Sequence, residues 1–155
     1  MSGSNLLQVN FSGSVLTNAN FNNMPGSTSV CFNNYSELMW AKFIGSTLQS
    51  FRFKGTYLGF SDFSNATLIR VDFTGAKLIS TIFENTKFEN VILDNAEVSK
   101  DFKEKIQRWQ IKWLVNGQQK SIFDDYEIIE TIILPKHSGM DESFQCFLKR
   151  KITEV

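Results

Sequence analysis

The chain has 155 residues, with 16 Lys and Arg balanced by 16 Asp and Glu, and 42% of it is hydrophobic. That length suits one domain, or a small domain with an appendage, and the apolar content is enough for a core. Zero net charge gives no general pull toward nucleic acid or an anionic membrane, no apolar run reaches the roughly 18 residues of a membrane span, and the start, MSGSNLLQVNFSGS, lacks the basic segment and apolar stretch of a secretory signal. Cys31 and Cys146 lie far apart in the sequence; two reduced thiols are the expectation, and a disulfide is the alternative.

From the N-terminus, large apolar residues fall on a beat of five: Leu6, Phe11, Leu16 and Phe21. Two residues before each stands Ser4, Val9, Ser14 or Ala19. Residues 22–35, NNMPGSTSVCFNNY, break the beat, and the register beyond them has moved by two. Pro25-Gly26 predicts a loop or turn here. The beat then resumes at Leu38, Phe43, Leu48, Phe53, Leu58, Phe63, Leu68, Phe73, Leu78, Phe83, Phe88, Leu93 and Val98.

A helix buries positions three and four apart, and a half-buried strand buries every second one, so a period of five fits neither. Positions two apart share one side of an extended chain. Each five-residue unit therefore points one small and one large side chain inward, then turns. Turn chemistry stands two residues after many centres, at Gly45, Gly55, Asn65, Gly75, Asn85, Asn90 and Asn95; Gly and Asn tolerate the left-handed backbone that other residues resist. Reading every twentieth residue gives columns of one kind. Phe43, Phe63 and Phe83 form one, Phe53 and Phe73 the opposite one, Leu38, Leu58 and Leu78 a third, and Leu48 and Leu68 a fourth. One short strand and turn cannot bury its own face, whereas a stack of four-sided coils can.

Beyond Val98 the pattern changes. Ser99 as N-cap, with Phe102, Ile106, Trp109 and Trp113 at helical spacing, predicts a helix that ends at Asn116-Gly117. In SIFDDYEIIETIILPKH, the spacing of Ile122, Tyr126, Ile129 and Ile133 fits a helix, while the density of β-branched residues fits a strand. The helix is preferred, because Asp124-Asp125 precede the run and Pro135 stops it. A last short helix at about 141–151 would bury Phe144 and Phe147 or Leu148, with Lys149-Arg150-Lys151 as its solvated C-terminal turn.

The units SNATL, TGAKL and DNAEV resemble the A(D/N)LXX pattern of the pentapeptide-repeat family. The resemblance implies an all-β solenoid, a right-handed four-sided β-helix, over residues 4–98. That β-helix would be interrupted by a loop or turn at about 22–35, with residues 99–155 as a mainly helical cap on its raw end. The repeat is structural in many unrelated roles, so it says little about function.

Catalytic chemistry is hard to find. The one histidine, His137, lies beside Pro135 in an expected loop, where a surface histidine is the ordinary reading. Two distant Cys and one His make no zinc pattern. No phosphate-binding loop, dinucleotide fingerprint or nucleophile elbow occurs. The chain reads as a non-enzyme with no cofactor and no metal.

What remains is surface. On the side that carries Leu38, Leu58 and Leu78, the outward positions hold Met39, Trp40, Tyr57, Phe60 and Ile79, with Tyr35 just upstream. A cluster of outward aromatics is unusual on a soluble surface and suits a protein-binding site; the alternative is that the 22–35 segment or the tail folds over it. The expected partner is a protein, with homodimerisation open, and neither nucleic acid nor membrane is expected. The resemblance implies a non-enzymatic interaction scaffold. Such modules occur alone or as the partner-binding parts of bacterial effectors, which places the chain in the cytoplasm or among effectors secreted without a cleaved signal peptide. The resemblance also leaves a second role, a DNA-mimicking inhibitor of DNA gyrase. Those rods are longer, acidic and dimeric, whereas here Glu84, Glu89, Asp94 and Glu97 are interleaved with Lys77 and Lys87.

Overall fold

The computed structural model describes residues 1–33, 35–133 and 143–152. Parallel bridges join residues twenty apart on four sides of each turn of chain. One side runs Glu37 to Tyr57 to Lys77 to Glu97, the next Lys42 to Asp62 to Ile82, and a further one Arg52 to Asp72 to Ile92. The remaining side has regular strands, β1 (Ser27–Thr28), β2 (Thr47–Gln49), β3 (Thr67–Ile69) and β4 (Lys87–Glu89), paired in parallel in that order. The chain is thus a four-sided β-solenoid.

The core follows the columns read from the sequence. Phe21, Phe43, Phe63 and Phe83 stack with centroids 4.8, 4.6 and 5.3 Å apart in turn. Opposite them, Phe11, Phe32, Phe53 and Phe73 stack at 5.2, 5.2 and 5.1 Å. These spacings lie close to the ~4.8 Å between paired strands, so backbone pairing and ring stacking set one repeat together. The small inward positions do a second job. Ser46, Thr81 and Thr86 donate to the carbonyls of Phe21, Leu58 and Phe63, at 2.6, 2.7 and 2.8 Å. Each of these three hydroxyls thereby ties a coil to the one before it, and among the described residues no buried side-chain N or O atom is left unpaired.

The described residues of the 22–35 segment do not leave the coil. The bridge offset is 22 residues for Val15 to Glu37 and Asn20 to Lys42, 21 for Cys31 to Arg52, and 20 from Glu37 onward. One extra residue therefore sits between Asn20 and Ser27 and one between Cys31 and Glu37. The expected interruption is two single-residue insertions at corners, and Phe32 carries its ring column straight through. A corner absorbs one residue cheaply, whereas looping out the whole segment would remove Val30 and Phe32, both fully buried, from the core.

The tail is mainly strand, which corrects the helical cap. Helix α1 covers Phe102–Arg108 only, and its N-cap is Asp101, not Ser99. Trp113 belongs to strand β6 (Lys112–Val115), which pairs parallel to β4 with Trp113 opposite Phe88. Asn116-Gly117 does not stop a helix; with φ of 50° and 77° it is the two-residue turn into β7 (Gln118–Lys120). Asn-Gly is a strong hairpin signal because both residues accept positive φ. Asp124 and Asp125 do enter a helix, but it is the single turn α2 (Ile122–Asp125), closed by a Ser121–Asp124 capping box. Strand β8 (Tyr126–Ile133) follows, so the β-branched density prevails over the helical spacing.

The expected helix at 141–151 is strand β9 (Ser143–Arg150), antiparallel to β8. Its Cys146 and Leu148 are buried, while Gln145 before them and Phe147 between them are only half-buried and Lys149 is exposed, the period of two that a strand requires. His137 lies outside the described residues, as does the side chain of Phe144. Strand β9 also pairs with β5 (Glu97–Val98) on the last coil.

The tail answers the backbone of that coil on several sides. The N–H groups of Asn85, Asn90 and Asn95 donate to the carbonyls of Trp109, Leu114 and Leu148 at 2.7, 2.9 and 2.8 Å. The Leu93 N–H donates to the Tyr126 hydroxyl at 3.1 Å. Arg150 holds that hydroxyl at 2.6 Å and reaches Asp94 with its Nε at 3.0 Å. Cys31 and Cys146 are free thiols, the first half-buried and the second buried.

Candidate functional site

Stacking brings the outward aromatics of one side together. Tyr57 and Lys77 are bridge partners, two coil steps span Glu37 to Lys77, and all project from the same side. The Lys77 ammonium lies 4.8 Å from the centroid of the Tyr57 ring, and the Tyr35 ring lies 6.2 Å from Tyr57 on the other side. At the adjoining corner Trp40 and Phe60 stack at 4.4 Å with only 7° between their planes. Trp40 is 50% exposed, Phe60 42% and Tyr35 71%. Apart from Tyr35 itself, no described residue of the 22–35 segment or of the tail lines this face.

Between these rings lies a hollow of about 180 Å³, lined by Met39, Tyr57, Gly59, Phe60, Lys77 and Ile79. Met39, Gly59 and Ile79 occupy equivalent positions of successive coils. The glycine therefore leaves a gap between two protruding apolar side chains. A Cβ built on Gly59 would meet only the Ile79 carbonyl oxygen, at 3.6 Å. All six residues expected to share a face do so; the sequence reading did not single out Gly59 as the floor or Lys77 as part of the rim. A glycine between Met39 and Ile79 in the twenty-residue column was the available signal.

The backbone at this face is strained. Tyr35, Trp40 and Phe60 have φ of 62°, 62° and 60°. Elsewhere among the described residues the positive-φ positions hold Gly, Asn, Ser, Gln or Arg. A bulky aromatic there is a conformational outlier, and the left-handed region costs an L-residue roughly 1–2 kcal/mol. Observed strain of this kind points toward a role other than folding.

A larger hollow, about 350 Å³, lies elsewhere, between α1 and β8, and is lined by Lys100, Lys103, Glu104, Phe123, Tyr126, Glu127, Ile128, Glu130 and Lys151. Its lysines are engaged: Lys100 pairs with Glu130 at 3.9 Å, Lys151 donates to the Phe123 carbonyl at 2.6 Å, and Lys103 lies over the Phe123 ring. Tyr126, whose hydroxyl is engaged at the end of the coil, has its pKa pushed up to about 12, chiefly by burial. Nothing in this arrangement forms a nucleophile with an adjacent base. Among the described residues no group of three His, Cys, Asp or Glu side chains is placed to hold a metal ion, and no helix is long and apolar enough to cross a membrane.

The fold and this face define a class: a four-sided β-solenoid, closed at one end by its own tail, with an exposed aromatic side. A model of pentapeptide repeats matches residues 1–24, 36–75 and 57–95 in 8 copies, together more than half of the chain, so the chain belongs to the pentapeptide-repeat family, whose members are generally non-catalytic. The match lapses where the two insertions lie. Among solved structures the chain is similar to the pentapeptide repeat protein Rfr23 from the cyanobacterium Cyanothece 51142, with 16% identity and a TM-score of 0.53 over 63% of this chain. The chain spans 61% of the length of that protein. It is also similar to a pentapeptide repeat protein of the Arabidopsis thaliana thylakoid lumen, with 18% identity and a TM-score of 0.37 over 76% of this chain and 85% of that one. Comparison with curated proteins gives no match. At these identities the structural likeness speaks for the fold alone.

Proposed function

We propose that the chain is a non-enzymatic scaffold that presents the aromatic face of its solenoid to a protein partner. The observation that carries this reading is the pair Trp40 and Phe60, stacked at 4.4 Å, about half exposed, and both held at positive φ. Folding alone has no use for them: a Gly or Asn at each corner would relax the backbone, and the core columns would be unchanged. Exposed Trp, Tyr and Met on a rigid backbone suit an interface hot spot, because little backbone freedom is lost on binding.

The test is a Trp40→Gly variant. Relief of strain offsets the lost ring stack, so its unfolding free energy should differ from the parent by less than about 1 kcal/mol. A partner captured by the parent from a lysate should be lost, with affinity reduced by about 2 kcal/mol or more if Trp40 is a hot spot. A captured partner that binds the variant equally well would overturn the reading.

A cytoplasmic setting, or secretion as an effector without a cleaved signal, remains part of this proposal and rests on the resemblance alone. Mimicry of DNA at a gyrase is the less favoured reading. The rod's outward positions pair acids with bases, as in Lys54 with Asp72 at 3.2 Å and Lys87 with Glu89 at 2.9 Å, so no continuous acidic track runs along it.

A further inference from the structure

We propose that the hollow over Gly59 receives a proline ring from a short, extended, acidic segment of a partner; this rests on the reading of the aromatic face as a contact site. Four observations carry it. First, size: about 180 Å³ is below the range of roughly 300–1,000 Å³ typical of small-molecule pockets and suits a single side chain. Second, extent. The face spans two coil steps, about 10 Å, by one side of about 10–15 Å. That footprint, on the order of 150 Å², is small beside the roughly 800 Å² of accessible surface per partner in a stable interface, so this face alone suits a short segment rather than a second copy of this chain.

Third, polarity. The walls are Met39, Tyr57, Phe60 and Ile79, and the one charged group on the rim is the Lys77 ammonium, which donates hydrogen bonds and accepts none. A peptide N–H brought against the Met39, Phe60 and Ile79 walls would lose its water without gaining a partner, whereas proline has no N–H to strand. Fourth, charge. Lys77 forms no ion pair among the described residues and leans on the Tyr57 ring at 4.8 Å, free to meet a carboxylate. A polyproline II segment meets all four conditions. It is extended before binding, so it loses little entropy, and aromatic-lined slots are its usual receptor.

The experiment titrates the full chain against fluorescein-labelled decapeptides and reads anisotropy. One peptide carries two prolines followed by a glutamate. A second has the prolines replaced by alanine, a third has the glutamate replaced by lysine, and a fourth is an amphipathic helix with apolar residues four apart. The proline–glutamate peptide should bind saturably, and the alanine version at least about tenfold more weakly, a difference of about 1.4 kcal/mol. Gly59→Leu fills the hollow without backbone conflict, since a Cβ there has room. It should weaken binding at least about tenfold while leaving the thermal melt unchanged. Lys77→Glu should weaken the glutamate peptide and restore binding of the lysine peptide. Equal binding of the proline and alanine peptides, or indifference to Gly59→Leu, would overturn the inference. Preferential binding of the helical peptide, lost in Gly59→Leu, would overturn the proline segment while leaving the face a contact site. Binding of no peptide at millimolar concentration would overturn the inference alone, because the face itself is judged by partner capture with Trp40→Gly.

Discussion

The two ends of the solenoid meet the same problem differently. At the C-terminal end the last coil offers unpaired backbone groups, and the tail answers them. The carbonyls of Trp109, Leu114 and Leu148 and the Tyr126 hydroxyl each accept from an N–H of that coil, and Phe83, Phe88 and Leu93 beneath are at most 1% exposed. At the N-terminal end no described residue covers the first coil in this way. Leu6, Phe11 and Leu16 pack on the core but are only partly buried. A repeat stack is therefore not uniformly stable, because each coil borrows half its burial from the next and the outermost borrows from one side only.

The largest expected break of this contrast is truncation after Ser99. It removes β6, β8 and β9 together and leaves the last coil with open edges like those of the first. Aggregation or higher oligomers should appear by light scattering; a soluble, unchanged monomer would show that the tail does not protect the coil. Next, matched ring deletions compare the ends directly. Phe83→Ala, which empties a site between Phe63 and Trp109, should cost roughly 3–5 kcal/mol in urea melts. Phe11→Ala at the open end should cost about half as much, since its ring is already partly wet. Equal costs would mean that the first coil is as well packed as the last.

A smaller effect sharpens the account of the closed end. Tyr126→Phe keeps the ring and deletes the hydroxyl that accepts from Leu93, so a buried N–H is left unpaired at about 1–3 kcal/mol. The same residue sets a pH dependence. Burial pushes its pKa up to about 12, above the ordinary 10.0, so the folded state disfavours the phenolate. Its contribution is fully present below the unfolded pKa and is lost as pH rises from about 10 through about 12. Parent stability should therefore fall over that window relative to Tyr126→Phe, as measured by urea melts at each pH. Parallel pH profiles of the two would remove Tyr126 from the account.

The repeat was legible because each inward residue obeys one rule and is confirmed by residues twenty before and after it. Phe32 escaped that check: the two insertions shifted the beat, so its place beneath Phe53 showed only once pairing was known. The tail has no repetition to correct a local misreading. Asn116-Gly117 closes either a helix or a hairpin, and what decides is Trp113 lying opposite Phe88, a long-range pairing that spacing along the chain does not contain. The same limit hid Arg150, whose bonds to Asp94 and Tyr126 join segments far apart in sequence. The aromatic face was legible as a set of residues, because outward positions follow from inward ones. The hollow and the positive φ of Trp40 and Phe60 were not, since the beat assigns a corner there but not its strain. An outward position is not always free either: Asp62 points out of the core, yet its Oδ1 accepts from the Ser64 N–H at 2.8 Å and shapes the next turn.

The bonds between coils run along the rod axis, as in Phe43 to Asp62 at 2.7 Å and Phe63 to Ile82 at 2.8 Å. A tension applied along that axis is therefore carried by the coils in series, each bearing the whole load. Under pulling, such a rod does not yield as one body; it unwinds turn by turn from its weaker terminus. In this chain that terminus is the N-terminal one, because at the other end strand β9 pairs with the final turn through β5 and is itself paired with β8.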